Sequence, residues 1–205
     1  MSSLQEKPIV HVVDDDVSVR KALSRLLNAA GYEVRPYSSA GDFALAAREK
    51  RRGCVLLDVK MPGPSGLDLQ DVLAQEEEPL PIIFLTGHGD ISKSVRAMKA
   101  GAVDFLTKPI DGQILLGAIR TALARDRASQ TSHEQMRELR ERFETLTPRE
   151  REVFQLVVAG KLNKQIAADL NMAERTVKAH RAQVMTKMRA TSLAELVHID
   201  DRMRP

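Results

Sequence analysis

Four short apolar runs each end in a reactive polar residue, and this recurrence is the strongest constraint on the fold. Ile9–Val13 leads into Asp14, Asp15 and Asp16. Cys54–Leu57 leads into Asp58, Ile82–Leu85 into Thr86, and Val103–Thr107 into Lys108 and Pro109. Short β-rich runs separated by helical stretches predict parallel strands joined by crossover helices. In such sheets ligands bind outside the carboxyl ends of the strands. Several carboxylates, a hydroxyl and an ammonium are therefore expected to converge at one sheet edge. That mixture suits a divalent cation and a phosphoryl group.

The helical stretches carry their own signals. Ala22, Leu23, Leu26, Leu27 and Ala30 recur at helical spacing before Gly31. Residues 32–36 predict an edge strand, and Phe43–Lys50 a second helix. Met61, Pro62, Gly63, Pro64, Ser65 and Gly66 form a turn, followed by a helix with Leu67, Leu69, Val72 and Leu73. Asp90 is placed to cap a helix holding Val95 and Met98 that ends near Gly101. Ile114, Leu115, Ala118, Ile119 and Ala122 mark a last amphipathic helix. The expected fold is α/β: a doubly wound, five-stranded parallel sheet of order 2-1-3-4-5 over residues 8–125.

Residues 126–142 predict a helical linker, with a polar centre at Ser129–Ser132. Met136, Leu139, Phe143 and Leu146 recur at intervals of three, four and three. Such a stripe either packs on its own domain or forms a seam between chains, and two turns are too few for a coiled coil. Residues 143–205 predict an all-α domain of four helices. Thr147-Pro148-Arg149-Glu150 and Ser192-Leu193-Ala194-Glu195 both have capping-box form. A helix is expected from Glu174 to Met188, with Val177, Val184 and Met188 inward.

Charge divides the chain unevenly. Residues 1–125 hold 16 Lys and Arg against 16 Asp and Glu, and residues 147–205 hold 11 against 7. The surplus in the last segment favours a polyanionic partner there. No apolar run approaches the roughly 20 residues that span a bilayer, and the amino terminus lacks a signal-peptide core. Cys54 is the single cysteine, inside a predicted strand, so a buried inert thiol is expected. A cytoplasmic protein without a membrane partner follows as an expectation.

Residue chemistry narrows the first site. Adjacent carboxylates at a strand end repel unless a cation or proton intervenes. Mg²⁺ takes a few carboxylates together with waters and phosphate oxygens. Lys108 can hold a phosphate as a point charge, Thr86 can donate to a phosphoryl oxygen, and an aspartate can act as a nucleophile. The intervals from Asp15 to Asp58, to Thr86 and to Lys108 are 43, 28 and 22 residues. With Met61-Pro62, Gly66, Thr86-Gly87 and Lys108-Pro109 in order, the first segment resembles the receiver domain of two-component response regulators.

That resemblance implies roles. Asp58 accepts phosphoryl from a sensor histidine kinase. Asp15 and Asp58 bind Mg²⁺, for which Mn²⁺ could substitute, together with the backbone carbonyl of Lys60; Asp14 acts through water. Lys108 and Thr86 bind phosphoryl oxygens, and Phe105 is the aromatic switch. Pro109 follows a cis peptide bond. Asp16 is read as a helix cap. Lys60 and His88 are candidates for tuning the lifetime of the phosphoryl group.

The carboxyl segment resembles the DNA-binding domain of the LuxR/NarL/FixJ class. The resemblance rests on Thr147–Val153, Gly160, Asn163–Ala167 and Arg175–His180. It implies double-stranded promoter DNA as partner. Asn163, Lys164, Thr176 and Arg181 would contact its backbone side, Lys178, Ala179 and Ala182 would face bases, and Arg175 belongs to the same DNA-binding set. Ala173 departs from the serine that often caps the recognition helix, and Ala182 stands where some members carry a lysine. The whole is most similar to the FixJ subgroup: a transcriptional regulator, expected to activate, that dimerises on phosphorylation and can engage RNA polymerase. Dimers would bind half-sites about one helical turn apart.

Three rivals remain. A haloacid-dehalogenase-type phosphatase needs a second aspartate two residues past the nucleophile, where Lys60 stands, so no enzyme activity beyond slow self-dephosphorylation is expected. A phosphorylation-independent DNA-binding protein would not need the intact acidic set. A flavin module would need a phosphate loop after the first strand.

Overall fold

The computed structural model describes residues 7–46, 52–76, 78–87 and 91–204. The chain divides between Gln130 and Thr131 into two compact units. The first holds strands β1 (Ile9–Val13), β2 (Glu33–Tyr37), β3 (Cys54–Asp58), β4 (Ile82–Thr86) and β5 (Asp104–Thr107). All pairings are parallel, in the order β2-β1-β3-β4-β5, as expected. Helices α1 (Val17–Ala29), α2 (Ala40–Leu45), α3 (Gly66–Leu73) and α4 (Ile91–Lys99) connect them, and α5 (Gly112–Glu144) follows β5.

The sheet carries a core on each face. Val13, Val55, Leu57 and Phe84 pack with Phe43, Leu67 and Leu73 on one side. Val10, Val12, Leu56 and Leu85 pack with Leu27, Leu115 and Ile119 on the other. Every residue of β3 and β4 is buried, which is why these strands read as unbroken apolar runs. The thiol of Cys54 is fully buried, and burial pushes its pKa up to about 12.

Several elements depart from the sequence expectation. The second helix begins at Ala40, not Phe43, because Ser39 caps it by accepting from the Asp42 amide at 3.0 Å. Its predicted continuation over 47–50, the Asp90 cap and His88 lie outside the described residues. Not every periodic apolar residue turns inward. Ile91, Val95 and Met98 are exposed on α4, where Ala97 is the buried residue, and Val72 and Ile114 are exposed as well.

The second unit holds α6 (Pro148–Val158), α7 (Asn163–Asp169), α8 (Glu174–Met188) and α9 (Leu193–Met203). Its core joins Phe154, Ile166, Val177, Val184, Met188 and Leu196 to Leu139 and Leu146. Phe143 packs against this cluster and meets Phe154 edge-on, with ring centroids 5.3 Å apart. Leu139, Phe143 and Leu146 of the heptad-like stripe thus pack on their own domain. The box at Thr147 closes both ways: Glu150 donates its amide to the Thr147 hydroxyl and accepts the Thr147 amide. At Ser192 only half the expected box forms. The hydroxyl accepts the Glu195 amide, but the Glu195 carboxylate bonds instead to the amide and hydroxyl of Thr191, at 2.8 and 2.7 Å. Thr191 offers two donors where Ser192 would offer one amide.

Candidate functional sites

Parallel register brings the strand ends level. Val13 pairs with Leu57, Asp58 with Leu85, and Thr86 with Thr107. The residues just past those ends therefore share one edge. Asp14 and Asp58 are buried there, at 1% and 5% exposure, and Lys108 is half-buried between them. The Lys108 ammonium donates to Asp14 Oδ2 and to Asp58 Oδ1, each at 2.6 Å. The second oxygen of Asp58 accepts the Lys60 amide at 2.7 Å, and Asp14 Oδ1 accepts the Asp16 amide at 2.9 Å.

Burial raises the Asp58 carboxyl above the usual carboxylate range, and the bonds from Lys108 and the Lys60 amide recover only part of that. Burial also works against the Lys108 ammonium, but its bonds to Asp14 and Asp58 outweigh burial and raise its pKa. The lysine thus gains from the arrangement while Asp58 is held strained for charge. A carboxylate in this position favours any change that adds cationic neighbours.

The remaining residues ring this pair. Asp15 is exposed. Asp16 caps α1, accepting the Ser18 amide at 2.7 Å, so it acts as the cap that its sequence position suggested. Thr86 is buried, and its carbonyl accepts the Lys108 amide at 2.7 Å. Phe105 is half-buried, its ring 5.9 Å from that of Phe84. The Lys108–Pro109 peptide is cis. Among the described residues no three His, Cys, Asp or Glu side chains are grouped to hold a metal ion; Lys108 stands between two of the carboxylates. The available donors are hard oxygens of Asp14, Asp15, Asp58 and the Lys60 carbonyl. Such a set suits Mg²⁺, which keeps several waters.

Two contributors were not read from the sequence. Arg20 donates to the backbone carbonyl of Asp14 at 2.5 Å, tying α1 to the end of β1. Its position four residues after the capping Asp16 was the available signal. Gly66 was noted only as part of a motif. A Cβ there would lie 2.2 Å from the carbonyl oxygen of Asp58, so only glycine lets α3 start this close to β3.

On the second unit, α8 presents Arg175, Thr176, Lys178, Ala179 and Ala182 to solvent while Val177, Val184 and Met188 are buried. Lys164 is exposed and Asn163 half-buried at the start of α7. Arg181 is half-buried, and its Nη1 donates to Asn163 Oδ1 at 3.0 Å. This tether between α7 and α8 was not anticipated. Nor are all five cations of the 175–189 stretch available to a partner. Lys187 bonds to buried Glu150 at 2.6 Å and to the Thr145 carbonyl at 3.1 Å, so it holds the fold together. Arg189 caps α8 in a left-handed conformation at φ 52° and lies 3.5 Å from Glu138. Ala173 provides no side-chain cap for α8.

An acidic, lysine-bridged sheet edge and a helix-turn-helix with exposed cations define a signal-responsive DNA-binding protein. Residues 10–120 match the response regulator receiver domain, and residues 144–199 the bacterial regulatory proteins of the luxR family. The chain belongs to the two-component response regulators with a LuxR-type DNA-binding domain. It is 48% identical over 197 residues to nodulation protein W of Bradyrhizobium diazoefficiens, covering 96% of this chain and 87% of that one. It is 43% identical to the transcriptional regulatory protein FixJ of Rhizobium meliloti, over 93% of each chain. Among solved structures, the response regulator StyR matches with a TM-score of 0.85 at 46% identity, over 96% of this chain and 99% of that one. No helix among the described residues is long and apolar enough to cross a membrane.

Proposed function

We propose that Asp58 is the phosphoacceptor, and that its phosphorylation governs how the LuxR-type domain binds promoter DNA. The supporting observation is the Lys108 ammonium held 2.6 Å from both Asp14 and Asp58 at the carboxyl edge of the sheet. In the reaction, an Asp58 oxygen attacks the phosphorus of a kinase phosphohistidine. The P–N bond breaks, and the imidazole leaves with its electron pair. Lys108 keeps a positive charge beside the incoming oxygens, and Thr86 supplies a hydroxyl donor near them. Mg²⁺ or Mn²⁺ held by Asp15, Asp58 and the Lys60 carbonyl, with Asp14 acting through water, would supply further neutralising charge to the phosphoryl oxygens. Lys60 stands where a phosphatase of the aspartyl-phosphate type would carry its second aspartate, which supports a stoichiometric acceptor with at most slow self-dephosphorylation.

The switch runs through Thr86 and Phe105, both on strands next to α4. Ile91, Val95 and Met98 follow one another at intervals of four and three along α4 and are exposed. One face of α4 is thereby free to cover a second copy once the switch has moved. Residues 8–125 act as the receiver, 126–142 as the linker and 143–205 as the output domain. Asn163, Lys164, Arg175, Thr176 and Arg181 meet the DNA backbone, while Lys178, Ala179 and Ala182 face base edges. The protein works in the cytoplasm as an activator that meets RNA polymerase at the promoter.

A gel-shift titration with and without acetyl phosphate and Mg²⁺ tests the reading. Wild type is expected to bind a cognate promoter at least about tenfold more tightly when phosphorylated, a coupling of usual size. Asp58→Asn should show no gain. Equal binding by wild type in both conditions would remove the switch and leave the DNA-binding role in place.

A further inference from the structure

The phosphoryl site occupies the carboxyl edge of the sheet. A second concavity of the first unit lies at the opposite edge, beside Leu80, Pro81 and Ile82, where β4 begins. Its volume is about 280 Å³. Leu73, Pro79 and Val103 make its walls apolar, while Gln70, Arg125 and Ser129 bring polar groups.

Gln70 is the informative residue. It is 3% exposed, and its Nε2 donates to the carbonyls of Ala97 and Ala100, at 3.1 and 3.2 Å. Both amide hydrogens are used, so the atom left over is the acceptor Oε1. Among the described residues nothing donates to it. A buried amide oxygen is ordinarily satisfied, and here the side chain that carries it lines an open cavity. Arg125 is exposed on α5 and makes no ion pair among the described residues.

We propose that this cavity binds a small amphipathic molecule: one ring, with a hydroxyl or N–H donor for Gln70 Oε1 and a carboxylate for Arg125. A few convergent polar groups in an apolar concavity are the usual form of a small-molecule site. A dry cavity of about 150 Å³ takes up benzene, so this one has room for a ring with two polar substituents. A ligand here would bridge α3, the start of β4 and the α5 turns at Arg125 and Ser129. The site is independent of the phosphoacceptor and gives the first unit a second chemical input.

The test titrates the full-length, ¹⁵N-labelled protein with 4-hydroxybenzoate, and in parallel with benzoate and 4-hydroxybenzamide. Saturable amide shifts are expected at Gln70, Ala74, Ile82 and Val103, with a dissociation constant on the order of 1 mM for a ligand of about ten heavy atoms. Benzoate, lacking the donor, and the uncharged amide should each bind more weakly. Arg125→Gln should weaken 4-hydroxybenzoate about two- to fivefold, as a solvent-screened charge does. Ala74→Phe, which fills the mouth, should abolish the shifts. Both substitutions are at exposed positions and leave the core intact. The proposal is overturned if no probe gives saturable shifts, if both variants bind as wild type does, or if the shifts map to Asp14, Asp58 and Lys108.

Discussion

The two units use charge in opposite ways. At the sheet edge of the first, two carboxylates and an ammonium are drawn inward and bound to one another, with Asp14 and Asp58 buried. On α8 of the second, Arg175 and Lys178 stand in solvent, while Lys187 is bound to buried Glu150 and serves the fold. A chemical site requires particular residues at particular strand ends. A polyanion surface requires only that enough charge stay outside, in a face set by burial of the opposite one. Residue identity therefore predicts the first site better, and periodicity predicts the second.

The contrast can be broken first at its strongest point. Asp58→Asn should abolish the phosphorylation-dependent gain in DNA affinity, a loss of at least about tenfold in the gel-shift assay. A residual gain would place the acceptor elsewhere.

Next comes the division between partner-facing and fold-holding cations. Lys187→Ala leaves buried Glu150 without its cation, and breaking a fully buried pair costs about 3–5 kcal/mol; Lys187 keeps some exposure, so about 2 kcal/mol is expected in chemical denaturation. Lys164→Ala, at an exposed position proposed to meet the DNA backbone, should instead weaken binding about uniformly across sequences and lower the salt slope by about one. If Lys187→Ala moves the salt slope and not the stability, the division is wrong.

Titration sharpens the same contrast. Burial raises the folded-state pKa of Asp58, so ionising it costs the fold stability as pH rises through the carboxylate range and above. The advantage of Asp58→Asn over wild type in thermal unfolding should therefore grow from pH 4 towards pH 7. Glu150 runs the other way. Bonds from Lys187 and the Thr147 amide hold its carboxyl below the ordinary value, so its contribution is present above that value and lost as pH falls through the lowered one. The deficit of Glu150→Gln should be full at neutral pH and shrink in acid. Parallel curves for the two variants would refute the contrast.

The smallest effect concerns the open start of α8. Ala173→Ser should stabilise the second unit by about 0.5–1 kcal/mol, read as a shift in denaturation midpoint.

Much of the fold was legible because parallel, doubly buried strands announce themselves as apolar runs, and the reactive residues fall where those runs stop. The bounds of α8 were equally plain, since Val177, Val184 and Met188 mark its buried stripe. What stayed hidden depends on distances that no local pattern encodes. Exposure of Ile91, Val95 and Met98 could not be told from burial, because periodicity gives a face but not whether anything covers it. The Arg181–Asn163 tether, the withdrawal of Lys187 and the two-carbonyl bond of Gln70 join residues 18 to 37 positions apart. The donor that Glu195 chooses was decided by one neighbouring hydroxyl.

The missing side chain at Gly66 has a wider consequence. With the backbone of residue 66 pressed against the carbonyl of Asp58, the acceptor loop and the first turn of α3 are one mechanical part. Substituting even a methyl group would have to push back the very strand end that carries Asp58. On the role proposed for Asp58, the exposed rim at residues such as Lys60 is free to vary and adjust phosphoryl lifetime, whereas this floor is fixed by the backbone itself.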